Sequence, residues 1–154
     1  MTLQEYIDQD LPFYHITPSS NLGKILREGL IAKRCNAICV VRSDNPDIWK
    51  EIINAQLAYT EPYYAVIKIS PRKYQIEVSE IAPDSSEKER MGPLQNYIDR
   101  LCVKVDESDI VERQFHRGIC PDWDNIRHLA VKLEGYVHAP IPDDSILTML
   151  NNNG

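Results

Sequence analysis

The chain has 154 residues, with 17 Lys and Arg against 23 Asp and Glu, and a formal net charge of −6. Apolar residues make up 43% and charged residues 26%, which is a globular composition and excludes a mainly disordered chain. No apolar run approaches the roughly 18 residues of a membrane helix, and the start MTLQEYIDQD is too polar for a signal peptide. We therefore expect one cytoplasmic domain over residues 1–150 and a disordered tail over 151–154, with no membrane contact.

The charge and the cysteines narrow the classes of partner and site. The net negative charge argues against an extended electrostatic interface with a nucleic-acid backbone, although a local basic cluster could still contact nucleic acid transiently. The cysteines are Cys35, Cys39, Cys102 and Cys120. They include no C-x-x-C pair and no second pair at zinc-like spacing. We therefore predict reduced, packed thiols and no metal site.

Helices and strands alternate in the first half of the predicted order. The expected elements are a helix over 2–9, a strand over 13–17, a helix from Ser19 or Ser20 to Gly29, a strand over 37–41, a helix over 47–58 and strands over 63–69 and 74–81. Thr2 with Glu5 three residues on forms a capping box, and Asn45-Pro46 places proline at the first helical position. The continuous apolar run 37–41 predicts a strand buried on both faces.

Strands dominate the second half. The charged stretch 82–93 lacks apolar periodicity, which predicts a solvated, mobile loop. The elements that follow are an ambiguous segment over 96–105, a strand over 109–115, a helix over 124–132, a strand over 134–139 and a helical turn over 143–150. This mixed order predicts an α+β domain with a largely antiparallel, curved or split sheet.

Three groups of residues could form part of a functional site. His15 and Thr17 project from the same face of a strand and could together bind one ligand, although the pattern taken alone favours a partly buried His15 bonded to a backbone carbonyl. Glu134 opens a late strand, with Gly135 leaving room for a ligand. Arg42 and Ser43 precede a helix N-terminus, where a guanidinium beside free N–H groups could bind a pyrophosphate. Each of the last two has an ordinary strand-end interpretation.

Other common signatures are missing from the sequence. A two-histidine phosphoesterase needs a second H-x-[ST] motif, and none of the other histidines is followed by one. The chain also contains no G-x-G-x-x-G, P-loop, G-x-S-x-G or H-E-x-x-H. The commonest nucleotide-binding, esterase and protease classes therefore lack their motifs.

Two runs of the sequence resemble the ADP-ribosyltransferase fold. FYHITPSSNLGKILREGL, residues 13–30, is similar to the opening of that family, where an HxT-bearing strand leads into xxNLxxILxxGL. EGYVHAPIPDDSI, residues 134–146, is similar to its final element, where the catalytic Glu opens a strand and IPxxxI follows. The resemblance implies an ADP-ribosyltransferase-like split, mainly antiparallel sheet core with short flanking helices.

The resemblance also implies site residues. Glu134 and Arg42 would be catalytic. His15 and Thr17 would hold the ribose and nicotinamide end of NAD, and Asn21 would support the same loop, as in DarT-like DNA-modifying members. Ser43 would accompany Arg42, and Trp49 would supply an aromatic contact that other branches take from a tyrosine, unless it is a core residue.

The function implied is NAD-dependent ADP-ribosyl transfer to a macromolecule, nucleic acid or protein, with NAD as substrate. Such an enzyme could be a toxin or effector with an antitoxin or regulatory partner. One alternative is a degenerate member that binds a nucleotide or protein without turnover. The other is an enzyme of the RNA 2′-phosphotransferase type, which we expect less because such enzymes usually have a winged module before the domain and only 12 residues precede the His15 strand here. The loop over 82–93 is expected to choose the acceptor.

Overall fold

The computed structural model describes residues 2–32, 37–56, 61–80, 101–118 and 133–138. Within these ranges one sheet contains six strands: β1 (Phe13–Pro18), β3 (Ala37–Val41), β4 (Tyr63–Ile69), β5 (Glu77–Glu80), β7 (Ile110–His116) and β8 (Glu134–His138). Their order is β5-β8-β3-β1-β4-β7, and every neighbouring pair is antiparallel. A separate two-stranded sheet joins β2 (Leu30–Ile31) to β6 (Cys102–Val103). The chain is therefore α+β with an antiparallel sheet.

Helices flank this sheet, and local signals fix where several of them begin. They are α1 (Leu3–Asp8), α2 (Leu22–Glu28), α3 (Pro46–Gln56) and α4 (Pro71–Tyr74). The Thr2 hydroxyl caps α1 by accepting from the Glu5 N–H at 3.1 Å. The Asn45 side chain caps α3 by accepting from the Asp47 N–H at 3.0 Å. The predicted caps of α1 and α3 are thus present.

The sheet has a hydrophobic core on each face. Alternate residues of β1 divide between the two cores, because successive side chains of a strand point to opposite faces. Phe13 packs on one face with β4 and with residues of α2, β2 and β6. Tyr14 and Ile16 pack on the other face against α3 and Trp49. We call these the α2 face and the α3 face.

Several sequence expectations are confirmed and others are wrong. The strands expected over 13–17, 37–41, 63–69, 109–115 and 134–139 are present to within a residue or two. Tyr74 ends α4 instead of starting a strand, because Pro71 opens a short helix at that point. In β3, Ile38, Val40 and Val41 are buried but Cys39 is exposed. Cys102 is also exposed, so these two thiols are not packed as expected.

The helix expected to be capped by a serine begins differently. Residues Ser19–Asn21 form a 3₁₀ turn, α2 starts at Leu22, and neither element has a side-chain cap. Of the ambiguous segment 96–105, the described part contributes only the two residues of β6. The predicted loop over 82–93 and the helices over 124–132 and 143–150 lie outside the described residues.

Candidate functional site

His15 sits at the centre of β1 with a defined hydrogen bond. Its Nδ1 lies 2.7 Å from the carbonyl oxygen of Cys39 on β3. A carbonyl can only accept, so Nδ1 carries the proton. Burial lowers the pKa of His15 below its usual 6.5, and the bond to Cys39 opposes that effect without reversing it. At neutral pH the ring is therefore uncharged, and its Nε2 lone pair is a hydrogen-bond acceptor.

Thr17 and Asn21 form the second part of the site. Thr17 is only 7% exposed, and its hydroxyl oxygen accepts from the Asn21 side-chain amide at 3.0 Å. The hydroxyl proton remains available to donate, because a hydroxyl combines one donor with two acceptor positions. His15 and Thr17 pair with Ile67 and Ala65 of β4, so both lie on the α2 face. The structure thus places the two residues predicted to hold the ribose and nicotinamide, His15 and Thr17, on one face, and Asn21, predicted to support the same loop, bonds to Thr17. The carbonyl bond of His15 is the one that the alternative interpretation of this residue predicts.

A carboxylate that sequence analysis missed lies beside this group. Glu61 accepts from the Ser20 hydroxyl at 2.7 Å, and its backbone N–H lies 3.3 Å from the hydroxyl of the fully buried Tyr64. The Ser20 and Glu61 positions are separated by 41 residues. No local motif links residues so far apart, so only the fold reveals this contact.

Arg42 and Glu134 lie toward the other end of β1. The Arg42 N–H donates to the Leu133 carbonyl at 2.9 Å, and the backbone of Glu134 pairs with Val41, which in turn pairs with Tyr14. Thr17 is three residues beyond Tyr14, or roughly 10 Å along the strand. The two predicted catalytic residues are therefore close along the backbone: Glu134 lies in the row of Tyr14, and Arg42 follows Val41 in that row. The expectation that the Glu134 carboxylate shares a cleft with His15 stays a prediction.

Two tyrosines, the partly buried Tyr6 and the buried Tyr14, have shifted pKa values at this end of the sheet. Burial raises the pKa of Tyr6 to about 12, with Tyr14 and Asp44 adding to the rise and Arg42 opposing it. Burial also raises the pKa of Tyr14, again with a contribution from Asp44. Arg42 and Asp44 thus place opposite charges within electrostatic reach of the Tyr6 hydroxyl. Both tyrosines are neutral at physiological pH.

The start of α3 does not offer the free N–H groups expected of a pyrophosphate site. The Asp47 N–H is taken by the Asn45 side chain, and the Ile48 N–H by the Asn45 carbonyl at 3.0 Å. Asp47 also puts a carboxylate in the first turn, where it competes electrostatically with a bound anion. The Ser43 hydroxyl accepts from the Asn45 N–H at 3.1 Å, which is a turn contact.

Trp49 is a core residue in this structure. It is 4% exposed, packs in the core of the α3 face, and donates from its indole nitrogen to the Ser43 carbonyl at 2.7 Å. Its ring centroid lies 5.5 Å from those of Tyr14 and Phe115. His15 faces the opposite side of the sheet. The alternative that Trp49 serves packing is therefore the one the geometry favours.

Comparison with known proteins does not extend this description of the site: no protein-family model and no curated protein matches the chain. Within the described ranges, no three or more His, Cys, Asp or Glu side chains are arranged to hold a metal ion. No helix in the same part of the chain is long and apolar enough to cross a bilayer.

Proposed function

We propose that the protein is an NAD-dependent ADP-ribosyltransferase that modifies a macromolecule. The observation that carries the proposal is the hydrogen-bond state of His15 and Thr17. His15 presents a neutral ring with an accepting Nε2, and Thr17, two residues along the same face, keeps a hydroxyl proton to donate. An acceptor beside a donor suits the hydroxyls of a ribose and the amide of a nicotinamide.

The chemistry asks for a carboxylate as well. Breaking the bond between nicotinamide and ribose builds oxocarbenium character, as in glycoside hydrolysis. A carboxylate bonded to the ribose 2′-hydroxyl interacts more strongly as that positive charge develops, so it lowers the barrier more than it tightens binding. Glu134 is the residue that the resemblance assigns to this role. Arg42, beside it along the backbone, would lie near the phosphates of NAD or the acceptor, as the resemblance implies.

The second candidate is a module that binds a nucleotide or protein partner without turnover. Two observations favour it. The backbone of Glu134 is in register with Tyr14 and not with the His15 and Thr17 group, and Trp49 is buried on the opposite face. A molecule built in this way would keep the recognition residues of β1 without a catalytic role for Glu134.

NAD binding and NAD hydrolysis, measured on the same variants, separate the two candidates. His15→Gln should remove the hydrogen bond that the His15 Nε2 would accept from NAD. The expected loss of ~1.4 kcal/mol corresponds to about ten-fold weaker binding. Glu134→Gln should leave binding within a few-fold and lower hydrolysis by about 10²-fold or more, since the lost charge acts mainly in the transition state. His116→Gln is the matched control, because His116 is an exposed residue of β7.

The outcomes are distinct. If His15→Gln binds NAD as tightly as wild type, β1 is not the NAD site and the proposal fails. If wild type binds NAD but does not hydrolyse it, the protein is the binding module. If wild type and Glu134→Gln hydrolyse NAD equally fast, Glu134 is not the catalytic carboxylate. If wild type binds no NAD in titration calorimetry, the NAD-dependent transferase is excluded, and NAD is not the ligand of the binding module.

A further inference from the structure

The 3₁₀ turn Ser19–Asn21 carries two side chains that normally cap helices, and neither is used in that way. Serine and asparagine at a helix start usually accept from the first free N–H groups. Here neither the turn nor α2 has a side-chain cap. Asn21 reaches back to Thr17 of β1 instead, and Ser20 reaches across to Glu61 before β4. Asn21 thus bonds back to β1 instead of capping α2, and Ser20 makes a tertiary bond to a residue 41 positions away.

The segment that holds Glu61 is itself fixed by its neighbours. The Glu61 N–H donates to the hydroxyl of Tyr64, a side chain with no exposed surface. The carbonyl of Pro62 accepts from the Arg117 N–H at 3.1 Å, which ties the segment to the end of β7. Glu61 is therefore held in place by β4 and by the end of β7. Its carboxylate can in turn orient the 3₁₀ turn Ser19–Asn21 through Ser20.

We infer that Glu61 is a positioning residue: through Ser20 it fixes the turn from which Asn21 holds the Thr17 hydroxyl ready to donate to a ligand. The inference rests on the proposed function, because it gives the ligand of Thr17 as NAD. The bond from Asn21 occupies an acceptor position of Thr17 and so aims the hydroxyl proton away from Asn21. A charge-assisted bond from Ser20 to a carboxylate is stronger and more directional than a bond between neutral groups.

A double-mutant cycle on NAD affinity tests the inference. Ser20→Ala and Glu61→Ala should each weaken NAD binding about five-fold, and the double variant should be no weaker than either single one, because both remove the same bond. Turnover should stay within two-fold while KM rises, since Glu61 does not touch the reacting atoms. Ser20→Thr keeps the hydroxyl and should restore affinity. Glu77→Ala, an exposed residue of β5, is the matched control.

A second measurement keeps the inference separate from the proposed function. In the wild-type protein, the Asn21 side-chain amide should show slowed hydrogen exchange by NMR, and Glu61→Ala should abolish the slowing. If wild type binds no NAD, the proposed function fails, and with it the ligand named here. If wild type binds NAD but the two single losses add, or neither variant changes affinity, the positioning role is overturned. An Asn21 amide signal that Glu61→Ala leaves unchanged also overturns it.

Discussion

Replacing Gly29, the C-cap of α2, should lower the free energy of unfolding for two reasons, one concerning the backbone and one steric. Its φ of 93° and ψ of 168° lie in a region that is essentially reserved for glycine. A Cβ at this position would lie 2.6 Å from the Cys102 sulfur and 3.1 Å from the Val103 carbonyl oxygen, both in β6. Backbone strain of about 1–3 kcal/mol and overpacking of about 1–3 kcal/mol then add. Gly29→Ala should lower the free energy of unfolding by about 3 kcal/mol.

Gly23 provides a control in the same helix. A Cβ there would meet only the end of the flexible Arg27 side chain, at 3.4 Å, and the position has an ordinary helical backbone. Gly23→Ala should therefore raise the free energy of unfolding by about 0.5–1 kcal/mol through helix propensity. Adding Cys102→Ala to Gly29→Ala should recover part of the loss, because it removes the closest contact and leaves the strain.

Urea unfolding followed by tryptophan fluorescence measures all of these variants on one scale. The slope against denaturant should be unchanged, so that shifts of the midpoint report stability alone. A Gly29→Ala protein within about 0.5 kcal/mol of wild type would refute the reasoning, since neither strain nor overpacking would then be present. A loss in Gly23→Ala as large as that in Gly29→Ala would refute it as well.

Two further predictions concern titratable groups. The pKa of His15 is lower in the folded chain than the unfolded value of 6.5, so the unfolded state binds more protons as pH falls through this window. The contribution of His15 to the free energy of unfolding should be complete above pH 6.5 and should decline as the pH falls toward the lower folded pKa. His15→Gln should flatten that decline in urea unfolding measured from pH 7.5 to 5. The second group is Asp109, which is 2% exposed and accepts from Lys73, Tyr74 and the Asp106 N–H. Asp109→Asn should cost about 2–3 kcal/mol in urea unfolding because an amide cannot replace a buried carboxylate toward three donors, and a change under 0.5 kcal/mol would contradict this.

Elements with strong local signals were predictable from the sequence. Helix α1 follows from Thr2 and Glu5, and β4 occupies the range 63–69 read from its aromatic and β-branched residues. These features need only short-range information, because caps and strand propensity act within a few residues. The pairing of His15 with Thr17 on one face also follows from alternation along a strand.

Features that depend on distant contacts were not predictable. The sheet β2–β6 pairs residues about seventy positions apart over two residues each, which is too short for any periodicity. Trp49 carries the apolar spacing of a helix and gives no sign of which face of the sheet it packs on. Glu61 follows the end of α3 without a motif, and its role depends on Ser20, which precedes that helix.

Several residues of one short stretch depart from local rules. Elsewhere Thr2, Asn45 and Asp106 cap their helices as the sequence indicates, although Ser70 makes no cap bond to α4. Between residues 15 and 21 an imidazole and a hydroxyl sit in a central strand whose remaining side chains are mostly apolar, and Asn21 leaves α2 without a side-chain cap. Folding alone would favour apolar residues in the strand and a cap on the helix. Departures that cost stability persist where they serve a site, and this stretch is also the one whose sequence resembles the NAD-binding strand of ADP-ribosyltransferases. The hydrogen bonds of the structure and the sequence pattern thus concern the same seven residues, 15–21, which is why the proposed NAD site is placed there.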